Sequence, residues 1–147
     1  MSARPDVGLG TVGGVEPEVM RELGNKVAAR ALAERVGVPV VPATGALPDD
    51  IDTCRAEAAR IGYPLMLKAS WGGGGRGMRA INSEDELAPA IEVARREAAA
   101  AFGNNEVYLE KMVVRARHVE VQVLGDTHGQ RVHLFERDCS VQRRNQK

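Results

Sequence analysis

Aromatic residues are scarce in this chain: Tyr63, Trp71, Phe102, Tyr108 and Phe135 are all it has in 147 residues. Its core must therefore be assembled from Val, Leu, Ile, Met and alanine, a composition that favours helices packed on a sheet. Cysteine is equally rare. Cys54 and Cys139 stand far apart, without Cys-x-x-Cys or Cys/His ligand spacing, which argues against a disulfide framework or a structural zinc site and predicts two buried reduced thiols. No apolar run approaches the ~18 residues that span a bilayer. The first twenty residues also lack the charged start and apolar stretch of a signal peptide, so a cytoplasmic location is expected. The formal net charge is +0, from 20 basic and 20 acidic side chains. No global field then exists to hold a nucleic-acid backbone or an anionic membrane, and neither is expected as a partner. Lysine is the scarce base, present only as Lys26, Lys68, Lys111 and Lys147.

What remains is ordinary for a folded soluble domain: 44% hydrophobic and 27% charged residues, in a length that suits one compact unit or pieces of two. Met1 to Gly14 is glycine-rich and carries no pattern. From Glu16 the spacing of Val19, Met20, Leu23, Val27, Ala31, Leu32 and Val36 predicts one helix ending at Gly37. The cluster Pro48, Asp49, Asp50 opens a second helix, which Gly62 and Pro64 close near Ile61. Leu65 to Ala69 reads as a strand and Met78 to Ile81 as another. Ser83 with Glu86 forms a capping box for a third helix that ends at Gly103, bent by Pro89 near its second turn. The remainder reads as strands over Val107 to Met112, His118 to Leu124 and Arg131 to Arg137, with a turn at Asp126 to Gly129. Alternation puts Val119, Val121 and Val123 on a core face and His118, Glu120 and Gln122 on a wet one.

Between the first two strands lies Trp71-Gly-Gly-Gly-Gly-Arg-Gly77. With almost no side chains in the way, successive N–H groups of such a loop can approach an anion closely, as phosphate-cradling loops do. A flexible linker is the plain alternative, but linkers seldom join two apolar strand-like runs directly. Gly72, Gly74 and Gly77 match the dinucleotide fingerprint in spacing, yet that motif must open straight into a helix, and here an extended run follows. Walker A fails as well, because Met78 and Arg79 stand where Lys and Ser/Thr are required. A strand, glycine loop and strand instead suggest a hairpin lid over phosphates. Lys68 would bring an ammonium to the mouth of that loop; a snorkelling surface lysine is the alternative. Glu110 and Lys111, taken alone, read as ordinary surface charges. His128 and His133 read as structural or exposed.

Four segments together are more specific than any one of them: Lys68-Ala-Ser-Trp-Gly-Gly-Gly-Gly-Arg-Gly-Met-Arg79, Val107-Tyr-Leu-Glu-Lys111, Arg117-His-Val-Glu120, and Glu136-Arg-Asp-Cys-Ser-Val-Gln-Arg-Arg-Asn-Gln-Lys147. In this order they resemble the biotin carboxylase domain of biotin-dependent carboxylases, an ATP-grasp fold, over about Glu16 to Lys147. Trp71 and Asn145 look more like the pyruvate carboxylase branch than the acyl-CoA carboxylases. The resemblance implies an α+β fold in which an antiparallel lid sheet has its helices on one side. It divides the chain into an irregular segment 1–15, a helical remnant of the preceding subdomain at 16–42, the lid subdomain at 43–113, and the start of the C-terminal subdomain at 114–147.

The same resemblance implies an ATP-dependent ligase, in which MgATP and bicarbonate give carboxyphosphate and its CO2 passes to a biotin nitrogen. Carried over, Lys26, Lys68, His118 and Gln142 contact the nucleotide, chiefly its phosphates and ribose. Gly73, Gly74, Gly75 and Gly77 belong to the mobile lid, with Met78 at its exit. Glu110, Lys111 and Val113 form the hinge at the adenine, Asn145 faces the ribose, and Lys147 helps to hold bicarbonate. Lys68 and Lys147 are the catalytic candidates, since transferring phosphoryl oxygens need preorganised positive groups. Partners implied are ATP, a biotinylated carrier domain and the remaining carboxylase domains, in a family whose intact members oligomerise. The family domain is several-fold longer. Its acidic Mg2+ ligands, its general base and its biotin-meeting arginine have no counterpart here, so the chain reads as a fragment without metal ligands that is inactive alone. The rival readings are a truncated nucleotide-binding or carboxylase-associated polypeptide and a different ATP-grasp ligase such as a carbamoyl phosphate synthetase. A Rossmann oxidoreductase ranks last, and would need a helix starting at Gly77.

Overall fold

The computed structural model describes residues 17–73, 78–126 and 128–141. The first predicted helix is in fact two, α1 (Pro17–Gly24) and α2 (Lys26–Arg35). The break has a local cause. Asn25 adopts an extended backbone and its side-chain oxygen accepts the Ala28 N–H at 3.0 Å, so it caps a new helix rather than continuing the old one. Its amide also donates to Glu106 at 3.1 Å, and the Lys26 N–H donates to the Ser70 carbonyl at 2.9 Å, which ties the start of α2 to the sheet. The second predicted helix is α3 (Ile51–Ile61), capped by Asp50 onto Thr53 and stopped at Gly62, whose φ of 82° suits a glycine.

Strands β1 (Leu65–Ala69) and β2 (Arg79–Ile81) follow, then a single 3-10 turn at Glu84–Glu86 that leads into α4 (Leu87–Phe102). The capping box is altered: Ser83 makes no cap bond, and the Glu86 carboxylate instead accepts the Asn82 N–H at 2.8 Å. The 3-10 turn shifts the start of α4, so Pro89 falls in its first turn. A missing N–H has no helical acceptor to lose there, and the expected second-turn position is corrected accordingly. Gly103 ends α4 in the left-handed conformation, as expected. β3 (Val107–Lys111) completes an antiparallel sheet in the order β2-β1-β3.

Strand parity divides that sheet. Leu65, Leu67, Ala69, Ile81, Val107 and Leu109 are buried on one face with Leu87, Ile91, Ala94 and Ala98 of α4 and with Cys54 and Ala58 of α3. Each fully buried leucine there contributes about 1.5–3 kcal/mol, and small alanines let the helices lie close. On the far edge of β3, residues 42–44 run alongside it: Thr44 N–H donates to the Leu109 carbonyl and Lys111 N–H to the Pro42 carbonyl, both at 2.8 Å.

The last two strands, β4 (Val119–Gly125) and β5 (Arg131–Asp138), form a separate antiparallel pair. The turn between them is held by the Asp126 carboxylate, which accepts N–H groups from His128 and Gln130. Register slips between Val121 and Val123, and Phe135 sits opposite the slip at a φ of 61°, a left-handed conformation that costs a non-glycine residue about 1–2 kcal/mol. One expectation fails here. Val119, Val121 and Val123 share a face, but each is roughly half exposed, at 49%, 55% and 58%, so that face is not core among the described residues. Alternation sorted the side chains correctly, and no described element lies over them. Cys54 and Cys139 are free and buried, as expected.

Candidate functional site

The sheet face turned away from α3 and α4 carries Met66 and Lys68 of β1 and Tyr108 and Glu110 of β3. Met66 pairs with Glu110 and Lys68 with Tyr108, so Lys68 and Glu110 are diagonal neighbours on the pleat. Their charged ends meet: the Lys68 ammonium donates to Glu110 Oε1 at 2.5 Å, with the two side chains 23% and 17% exposed. The other carboxylate oxygen, Oε2, receives the Tyr108 hydroxyl at 3.4 Å and the Arg30 guanidinium of α2 at 3.5 Å. Burial, then the Glu110 charge, pushes the Tyr108 hydroxyl far above the ordinary tyrosine range, so it remains a donor.

Beside this group opens a pocket of about 270 Å3 lined by Met66, Lys68, Met78, Glu110, Lys111, Met112 and Val113. Sites that enclose a whole drug-sized ligand run from about 300 Å3 upward, so this one suits a planar ring system with the rest of the ligand outside. Its walls are methionine and valine, its backbone is a strand end with polar edges, and of its two lysines Lys68 carries its ammonium on this face beside Glu110. Such a pocket can take a flat base between apolar side chains while an anionic tail meets the ammonium.

A second cation is close by. The Lys26 ammonium donates to the carbonyls of Ala69, at 3.1 Å, and Gly72, at 2.6 Å, where β1 runs into the glycine segment. Burial lowers its proton affinity below the ordinary lysine range, and the charge of Lys68 lowers it further. A polyanion placed near both would relieve that repulsion. Gly72 has a φ of 76°, and a Cβ there would fall 2.1 Å from the Phe102 ring, so glycine is required where the segment leaves the sheet.

The residues singled out from sequence fall into three groups. Lys68, Met78, Glu110, Lys111 and Val113 come together as pocket lining, with Lys26 at the strand end above. Lys111 does so only in part: its parity is that of Val107 and Leu109, and its ammonium caps the carbonyls of Gly62, at 2.8 Å, and Tyr63, at 2.9 Å, on the helix side of the sheet. Gly73 is exposed coil, and His118, just before β4, is exposed and absent from the pocket lining. Gly74, Gly75, Gly77, Gln142, Asn145 and Lys147 lie outside the described residues. Sequence reasoning missed Arg30, Tyr108, Met66 and Met112. Parity alone would have put Met66 and Tyr108 beside Lys68 and Glu110, while Arg30 reaches them from 80 residues away and had no local signal.

Magnesium, which the resemblance brings with ATP, finds no ligand set among the described residues. No group of three or more His, Cys, Asp or Glu side chains converges there, and Glu110, the only carboxylate on the pocket wall, is already engaged by Lys68 and Arg30. The glycine segment is followed by strand β2 rather than by a helix, which removes the Rossmann alternative.

Comparison with known proteins places the chain in a family. Residues 25–147 match the family described as the carbamoyl-phosphate synthase L chain, ATP binding domain. The chain is 53% identical over 135 residues to biotin carboxylase of Pseudomonas aeruginosa and 49% identical over 134 residues to mitochondrial pyruvate carboxylase of Homo sapiens. In both cases 91% of this chain is covered, but only 30% and 11% of those proteins. Among solved structures, Rhizobium etli pyruvate carboxylase superposes with a TM-score of 0.80 at 70% identity, over 88% of this chain and 11% of that one. The biotin carboxylase domain of Hydrogenobacter thermophilus 2-oxoglutarate carboxylase, in complex with MgADP, ADP and bicarbonate, gives 0.83 at 46% identity, over 88% and 29%. The chain thus spans a third or less of the relatives it matches. It belongs to the carbamoyl-phosphate synthase L chain ATP-binding domain family, with its likeness lying to biotin carboxylases and pyruvate carboxylases.

Proposed function

We propose that this chain supplies part of the ATP site of a biotin-dependent carboxylase of the pyruvate carboxylase type. The adenine lies among Met66, Met78, Met112 and Val113 against the 110–113 backbone, and the phosphates extend towards Lys68 and Lys26. In the intact enzyme that nucleotide, with Mg2+ and bicarbonate, serves carboxylation of biotin on a carrier domain. The residues described here bind and orient: the pocket fixes the base, and the two ammonium groups offset charge on the phosphoryl oxygens. Support comes from the neighbouring structure that holds MgADP and bicarbonate and from 70% identity to a pyruvate carboxylase.

The observation that carries the reading is the Lys68 ammonium at the rim of an apolar pocket of purine size. Calorimetric titration of the purified chain with ATP, with and without Mg2+, tests it. Binding tighter than about 1 mM, worth roughly 4 kcal/mol, is expected, and Lys68→Ala is expected to weaken it. A folded chain that binds no ATP, or a Lys68→Ala variant that binds as well as the parent, would contradict the proposal.

A further inference from the structure

Arg30 does not line the pocket, yet its guanidinium reaches Glu110, which does. One nitrogen donates to the Val41 carbonyl, just before the 42–44 segment that borders β3, and the other lies 3.5 Å from Glu110 Oε2. The side chain is 16% exposed and spans from α2 to the edge of the sheet. Glu110 therefore divides its two oxygens, Oε1 to Lys68 and Oε2 to Arg30 and Tyr108. A carboxylate with a guanidinium nitrogen at 3.5 Å and a tyrosine hydroxyl at 3.4 Å on the same oxygen is restrained in rotation, which biases the direction of its second oxygen.

We propose that Arg30 is a positioning residue for the nucleotide site, acting through Glu110: by pinning Oε2 it aims Oε1 at Lys68 and so sets where that ammonium stands on the pocket rim. Tyr108 assists from the strand itself, its hydroxyl donating to the same oxygen. The inference builds on the reading of the pocket as a nucleotide site, but its geometric core concerns only Arg30, Glu110 and Lys68. A plain structural alternative exists, in which Arg30 merely ties α2 to the sheet. The two differ in what Lys68 feels when Arg30 is removed.

With only four lysines in the chain, the ammonium resonances of 15N-lysine-labelled protein can be assigned, that of Lys68 by its loss in Lys68→Arg. In Arg30→Met the hydrogen exchange of the Lys68 ammonium with water should speed up by about tenfold, the size expected when one charge-assisted hydrogen bond is released. Arg30→Lys should restore most of the protection, and Tyr108→Phe should give a smaller acceleration. ATP and ADP should bind Arg30→Met about tenfold more weakly, while adenosine, which lacks phosphates, should bind it as it binds the parent. Unchanged Lys68 exchange in a folded Arg30→Met protein would overturn the proposal and leave Arg30 as a tie. If that variant fails to fold, unchanged Lys68 exchange in both Arg30→Gln and Tyr108→Phe would overturn it equally. Failure of the parent chain to bind ATP would count against the nucleotide site, and the exchange measurement would still decide the role of Arg30.

Discussion

Three of the four lysines in the chain hold distinct posts on one small sheet. Lys68 faces the pocket and Glu110, Lys26 grips the carbonyls of Ala69 and Gly72, and Lys111 turns to the opposite face to cap Gly62 and Tyr63. Only the first two have ammonium groups placed for a ligand. The stem of the glycine segment is fixed just as closely. Gly72 combines a positive φ with a Phe102 ring lying 2.1 Å from any Cβ, so Gly72→Ala meets both backbone strain and overpacking. A loss of about 2–4 kcal/mol is expected, read as a lowered urea midpoint. A loss below 0.5 kcal/mol would show that Phe102 moves aside without consequence.

Among the elements, the β4–β5 pair is the most self-reliant, held at its open end by charge. Arg117 reaches Asp138 at 2.7 Å and the His118 N–H donates to the Ser140 hydroxyl at 2.9 Å. Arg117 chiefly, then Ser140, holds the Asp138 carboxyl down at about 2. Because the folded-state value lies below that of a free aspartate, the contribution of this pair is complete above about pH 4 and is lost as pH falls towards 2. A carboxyl titration followed by NMR should place the Asp138 midpoint well below that of an exposed aspartate. Arg117→Ala should raise the midpoint, and one that stays put would disprove the assignment.

The elements also show what the sequence could carry. Helix ends and strands were legible wherever a cap, glycine or alternation marked them, as at Asp50, Gly62 and Gly103. The α1–α2 break was not, because the apolar spacing of Val19, Leu23, Val27 and Ala31 runs straight through Gly24 and Asn25. Asn25 caps α2 through Ala28, and its amide is held by Glu106, a partner 81 residues away that local spacing does not reveal. Likewise, alternation placed three valines on one face of β4 but holds no information about what covers that face. At the site, local spacing raised Lys68 only to an even choice between ligand and surface lysine. Its contact with Glu110 depends on the register of β1 with β3, and Arg30 on the docking of α2.

At the scale of the molecule, the net charge is +0, and the local arrangement of charge is what matters at the site. Arg30 and Lys68 meet the carboxylate of Glu110 on one face of the three-stranded sheet, with Lys26 at the end of β1, while the opposite face is an aliphatic core. A sheet used in this way is a partition: one face keeps the fold, the other presents cations beside an apolar pocket.

The central claim is that the pocket between Met66, Met78 and Met112 takes the base of a nucleotide. The chain has only five methionines, which suits it to methyl-labelled NMR, and Met66, Met78 and Met112 line the pocket. Titration with ATP should move the methyl signals of Met66, Met78 and Met112 through the ring current of the base. Binding that leaves the three pocket methyls unmoved would put the base elsewhere and contradict the account.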